Sequence, residues 1–150
     1  MREIERIIEP EEEVYHLIKK GMRDSAFKML SELPKPLSEE NTFYLAYCQA
    51  SMGHEFEALQ NLNELRENTT DDIRGTFSAF MADILRNQGN INDALKEARF
   101  ALEDCPDDEV IRKLFDEILD DWFDGDGGKL ITLFTALAVL NKRAKKAYGG

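Results

Sequence analysis

The sequence predicts an all-α protein: a solenoid of antiparallel helix pairs, about three repeats long, closed by C-terminal capping helices. Three observations carry this expectation. A glycine followed five residues later by an alanine recurs at Gly21/Ala26, Gly53/Ala58 and Gly89/Ala94, with the glycines 32 and 36 residues apart. A period of about 34 residues is that of helix–turn–helix repeats. Apolar residues recur at three- and four-residue intervals through most of the chain, and no stretch alternates with period two for long enough to argue a strand.

The paired signature has a local physical cause. A glycine after an apolar helical pattern can take the left-handed conformation that ends a helix, which a residue with a Cβ adopts only at a cost. The alanine falls on the following helix, where a small side chain lets the two helices approach closely. Turn and crossing are therefore specified together.

The elements follow in order. Arg2 to Glu9 reads as a short helix closed by Pro10, and Glu11 to Lys20 as the first helix of unit one, with Glu11, Glu12 and Glu13 in the first turn where the macrodipole favours them. Asp24 is placed to cap the partner helix, about residues 25 to 33, which stops at Pro34-Lys35-Pro36. Ser38 caps the helix running to Met52, and Glu55 to Asn68 follows with Phe56, Leu59, Leu62 and Leu65 at helical spacing. Thr69 or Thr70 opens a long helix to Gln88, and residues 92 to 104 complete the third pair. Asp107 is placed to cap a further helix striped by Val110, Ile111, Leu114, Phe115, Ile118, Leu119 and Trp122. The whole chain, residues 1 to 150, reads as one domain with repeats at about 7–36, 39–72 and 75–108 and capping helices at 108–122 and 129–146.

Residues 75 to 106, GTFSAFMADILRNQGNINDALKEARFALEDCP, resemble the tetratricopeptide repeat. Met81 and Ala82 match its large and small pair, Leu85 the apolar residue one turn on, Gly89 the turn, and Ala94, Ala98, Ala101 and Pro106 the second helix and its terminator. Residues 39 to 72 match through Leu45, Ala46, Gly53, Ala58, Leu59, Leu62 and Leu65; the unit at about 7–36 is degenerate, with Glu13 and Val14 at the large and small pair. The resemblance covers roughly two-thirds of the chain and implies a protein-binding scaffold. It also implies a concave groove built by the first helix of each pair, on which Glu40, Phe43, Tyr47 and Ala50 of the second unit, Thr76, Ala79, Asp83 and Arg86 of the third, and Tyr15 of the first would lie. These residues form an aromatic cluster with a few flanking charges, suited to an apolar or amphipathic segment. The groove lacks the Lys and Asn set with which some members of the family grip a C-terminal carboxylate. Phe43 and Tyr47 have a second placement open to them, as core between neighbouring units. In size, acidity and repeat number the chain is similar to the small chaperones of bacterial type III secretion, and its apolar, basic end is similar to that of the mitochondrial fission adaptor.

The C-terminal segment differs from the body. WFDGDGGK, residues 122 to 129, interrupts the helix; LITLFTALAVL, residues 130 to 140, is largely apolar; and NKRAKKAYGG follows. Residues 1 to 128 carry 14 Lys and Arg against 30 Asp and Glu, whereas the remainder carries five positive charges and no acid. Eleven residues are too few to span a bilayer, which needs about 20. Burying the six Leu, Ile and Phe anchors would release at most about 9 to 18 kcal/mol by side-chain transfer. Three resting places are open: against the Val110 to Trp122 stripe, in the chain's own groove or a sister chain's, or on an anionic membrane. In the last case Leu130, Phe134 and Leu137 would insert, and Lys142 and Arg143 would meet headgroups for about 1 kcal/mol each.

Composition and motifs exclude several classes. A net charge of −11 argues against nucleic-acid binding, which needs clustered Lys and Arg. MREIERIIEPEEE turns acidic within ten residues, unlike a signal sequence, and Cys48 and Cys105 read as reduced thiols, so a cytoplasmic location is expected. The FDGDGG loop lacks the first and closing ligands of a calcium loop, and His16 and His54 have no partner at ligand or triad spacing. No catalytic constellation, metal site or cofactor site is expected. The expected partner is a protein or peptide, with a homodimer and a membrane contact as further possibilities.

Overall fold

The computed structural model describes residues 9–69, 73–124 and 134–148. These residues are all-α, with eight helices and no strand: α1 (Pro10–Lys19), α2 (Arg23–Glu32), α3 (Glu39–Ser51), α4 (Glu55–Glu67), α5 (Arg74–Asn87), α6 (Ile91–Asp104), α7 (Glu109–Asp124) and α8 (Phe134–Tyr148). Each helix from α1 to α7 packs on the next, and α1 also meets α3, as α5 meets α7. The result is a helical repeat in which α1, α3, α5 and α7 form the inner layer and α2, α4 and α6 the outer one.

The three glycines perform the turns. Gly21, Gly53 and Gly89 have φ of 80°, 86° and 80°, the positive-φ residues of the described chain. Each sits in the same double hydrogen bond. The glycine N–H of Gly21, Gly53 and Gly89 reaches the carbonyl of Ile18, Ala50 and Arg86, and the next N–H, of Met22, His54 and Asn90, reaches that of Leu17, Gln49 and Leu85 at 2.7 to 2.9 Å. This pair of bonds satisfies carbonyls that a helix end leaves open. The companion alanines Ala26, Ala58 and Ala94 are fully buried, as are Ala46, Ala82, Ala98 and Ala101.

Two apolar clusters fill the space between layers. One joins α1 to α5 and the end of α8 through Val14, Leu30, Phe43, Tyr44, Leu62, Phe77, Phe80 and Leu140. The other joins α5, α6 and α7 through Ala79, Ala82, Ala98, Ile111, Leu114 and Ile118. Close approach of α5 and α6 is set by Gly75, where an added Cβ would stand 2.7 Å from Cys105 Sγ and 3.0 Å from the Ala101 carbonyl. Arg66 bridges α4 to the Glu97 carboxylate of α6.

Among the described residues, helix starts differ from expectation at α2 and α7. Ser38 caps α3 as expected, its Oγ accepting from the Asn41 N–H at 3.1 Å. Asp24 does not cap α2: the helix begins two residues earlier than expected, at Arg23, with Met22 at the cap position. The cap of α7 is Asp108 and not Asp107, because Asp108 Oδ1 accepts from both Val110 N–H (2.9 Å) and Ile111 N–H (3.2 Å). The described part of the long helix starts at Arg74 behind Ile73, and Thr70 lies outside the described residues. So do residues 2–8 of the expected Arg2 to Glu9 helix, and residues 125–133, which hold most of the expected break at 122–129 and the start of the expected 129–146 helix.

Candidate functional site

The inner layer makes the concave face, and α8 lies on it. This helix packs against α1, α3, α5 and α7 together, so its described side chains, from Leu140 on, rest on the inner layer, while those of residues 130–139 lie outside the described residues. The α7 stripe is instead spent mainly on α6, through Ile111, Leu114 and Ile118.

A single face of α8 makes the contacts, with the spacing of successive helical turns. Leu140 and Ala144 are fully buried. Asn141 Oδ1 accepts from the Tyr15 hydroxyl at 3.1 Å. The Tyr148 hydroxyl bonds the Tyr44 hydroxyl at 2.7 Å, and its ring lies 5.8 Å from that of Tyr15. Between these points Arg143 pairs with the carboxylate of Glu40 and lies 3.6 Å from that of Glu39. Its guanidinium stands over the rings of Phe43 (5.1 Å) and Phe77 (5.4 Å), a cation–π arrangement on two faces. At the outer edge Lys142 Nζ donates to Asp108 Oδ2 at 2.9 Å.

The electrostatics of this face are those of an acidic surface holding a basic helix. Burial pushes the Tyr44 hydroxyl well above its ordinary value; Tyr148 and the Glu40 carboxylate push the same way, and Arg143 opposes them. Burial also raises Tyr148. Both phenols therefore stay protonated and bonded through neutral pH. The central ion pair is incompletely satisfied: Glu40 Oε2, Arg143 Nε and Arg143 Nη1 are buried with no hydrogen-bond partner.

The structure brings together only part of the expected groove set. Tyr15, Glu40 and Phe43 all meet α8; Arg143 meets Glu40 and Phe43 from the other side, and Lys142 meets Asp108 instead. Tyr47 is 8% exposed, with its ring 6.2 Å from Phe80, and belongs to the core between α3 and α5. Ala79 and Asp83 are fully buried, Ala79 in the cluster shared with α7. Arg86 turns to α7 as well, donating to Asp121 at 2.7 Å and Glu117 at 2.9 Å. The third unit's inner residues are thus engaged by the next helix of the layer. Phe134 and Leu137 lie in the first turns of α8, and Leu130 lies outside the described residues. Sequence reasoning missed Tyr44, Phe77, Glu39, Asp108, Asn141 and Tyr148. Tyr148 carried a signal, being the ring in the basic tail, eight residues from Leu140 on the same helical face.

Among the described residues no group of three or more His, Cys, Asp and Glu side chains is arranged to hold a metal ion, and no helix is long and apolar enough to cross a membrane. The fold and this face define the class: an all-α helical repeat whose concave surface seats a helix. Compared with models of known families, with curated proteins and with solved structures, the chain matches none.

Proposed function

We propose that this chain is a protein-binding module of the tetratricopeptide type, a cytoplasmic adaptor or chaperone without catalytic activity, which holds an apolar or amphipathic helical segment on its concave face. The observation that carries the reading is the seat of α8: four inner helices converge on one side of a single amphipathic helix, through Tyr15 of α1, Glu40, Phe43 and Tyr44 of α3, Phe77 of α5 and Asp108 at the head of α7. A surface that accepts a helix by aromatic faces, hydroxyls and a carboxylate has the chemistry of helix-in-groove recognition. A membrane-peripheral role, the alternative, would require α8 to withdraw Leu140 and Ala144 from the inner helices.

A displayed library of helical peptides selected on the full chain tests the reading. Enrichment of amphipathic helices whose binding falls at least tenfold on Glu40→Lys supports it. Enriched peptides indifferent to Glu40→Lys, or membrane flotation of the full chain on anionic vesicles, would place the contact elsewhere.

A further inference from the structure

We infer that α8 is an internal stand-in for the partner, so that the concave face is built for a basic amphipathic helix of another protein that carries the α8 pattern and displaces it. The inference rests on the proposed function and adds to it the partner's chemistry and the competition. The pattern is a leucine, an arginine three residues on, an alanine four on and a tyrosine eight on, as at Leu140, Arg143, Ala144 and Tyr148.

Three observations lead here. The first is composition. Where α6 and α7 join, the contact is aliphatic, through Ala98, Ile111, Leu114 and Ile118. The α8 contact is made by Tyr15, Tyr44, Phe43 and Phe77 of the seat with Tyr148 and Arg143 of the helix, residue types that mark interfaces between separate molecules. The second is charge. The seat presents Glu39, Glu40 and Asp108 to Arg143 and Lys142, and this tail is the one basic segment of a chain whose other 128 residues hold an excess of acid. The third is imperfect satisfaction. Burying a charged pair is costly unless every polar atom is bonded, and here Glu40 Oε2 and two Arg143 nitrogens are not. An aliphatic residue at position 143 would pack without that cost. The arrangement therefore favours recognition of an arginine over permanent closure.

The tether sets what an experiment will read. A helix joined to its own site by a short connection competes at an effective concentration on the order of 1 mM. A free copy of the same helix then binds the wild-type chain with an apparent Kd of about that value, whatever its intrinsic affinity. Loosening the resident helix without touching the seat exposes the intrinsic affinity.

The probe is a labelled synthetic peptide of residues 134–148, titrated into the full chain by fluorescence anisotropy. Against Arg143→Glu protein, whose own α8 meets Glu39 and Glu40 with like charge, the peptide is expected to bind at least tenfold more tightly than against wild type. A peptide carrying R143E is expected to lose binding to that protein and to regain it on Glu40→Arg protein, which keeps its own Arg143 and so meets it with like charge. Tyr148→Phe, which removes one hydrogen bond and almost no volume, provides the same comparison should Arg143→Glu melt early. Equal affinity for wild type and the loosened chains, or indifference to residue 143 of the peptide, overturns the inference. So does a wild-type mass of two chains at micromolar concentration with α8 exchanged between them, since the occupant would then be a second copy. A library-selected helix that binds the concave face while amide exchange on α8 is unchanged refutes the competition and leaves the proposed function standing; failure of every helix to bind the loosened chain refutes both.

Discussion

Replacing Gly89 with alanine isolates the energetic role of the repeat turn. Gly89 has φ of +80°, and an added Cβ would have no atom within 4 Å. The penalty is therefore conformational, about 1 to 2 kcal/mol for an L-residue held in the left-handed region. For a chain of this length each kcal/mol corresponds to about 2 to 4 °C in Tm, so Gly89→Ala is expected to lower Tm by about 2 to 8 °C. Gly53→Ala should behave alike, because Gly53 has the same sign of φ and the same pair of closing bonds. Gly89→Asn should lose less, since Asn tolerates this conformation. Urea and thermal unfolding followed by circular dichroism measure both quantities, with an unchanged m-value showing that the folded state is intact. The sign is decisive. At a site with negative φ, glycine to alanine stabilises by about 0.4 to 1 kcal/mol through the unfolded chain; a rise in Tm for Gly89→Ala would refute the turn assignment.

Other substitutions probe the packing and the charges. Gly75→Ala drives a Cβ to 2.7 Å from Cys105 Sγ and 2.9 Å from Asp104 Cβ, an overpacking expected to cost about 1 to 3 kcal/mol in urea unfolding and to be only partly relieved by Cys105→Ala. Asp121→Asn weakens the bond from buried Arg86 and should cost about 1.5 to 3 kcal/mol, measured the same way. Burial pushes the Asp108 carboxyl up, but Lys142 and the Ile111 and Val110 N–H groups outweigh it and hold it below its ordinary 3.8. A depressed pKa in the folded state gives stability that is present above the unfolded value and lost as pH falls through the folded one. Asp108→Asn, which can still cap α7, should therefore unfold with less acid dependence below about pH 4 than wild type. Burial pushes the Cys48 thiol up to about 12, against the opposing charge of Arg23. Labelling by a thiol reagent at pH 8 should accordingly modify half-buried Cys105 first, and Cys48 only on unfolding; prompt loss of both thiols would contradict the burial of α3.

How much could be read from the chain depended on the range of the interaction concerned. The turns were legible because a glycine and an alanine five residues apart specify a local conformation and a crossing between adjacent helices. The Ser38 cap was legible for the same reason, its partner being three residues away. Asp107 and Asp108 are adjacent and chemically equivalent, so only the path of the chain entering α7 decides which one reaches the Val110 and Ile111 N–H groups. The seat of α8 was the least legible part. An apolar run states that it must be buried, not against what, and Arg143 finds Glu40 across 103 positions of sequence. The groove assignment erred toward openness at Ala79 and Arg86, because the expected register took no account of α7 continuing the inner layer.

The most direct test of the account is nuclear Overhauser contact between α8 and the inner helices in the full chain. With Tyr and Phe rings selectively labelled, cross-peaks are expected between Tyr148 and both Tyr44 and Tyr15, whose ring lies 5.8 Å from that of Tyr148, and from the Arg143 side chain to the Phe43 and Phe77 rings. The peaks should persist on dilution and be absent between chains in a sample mixed from labelled and unlabelled protein. Sharp α8 resonances at unfolded-chain shifts, with none of these cross-peaks, would contradict the claim that the concave face is a seat for a helix.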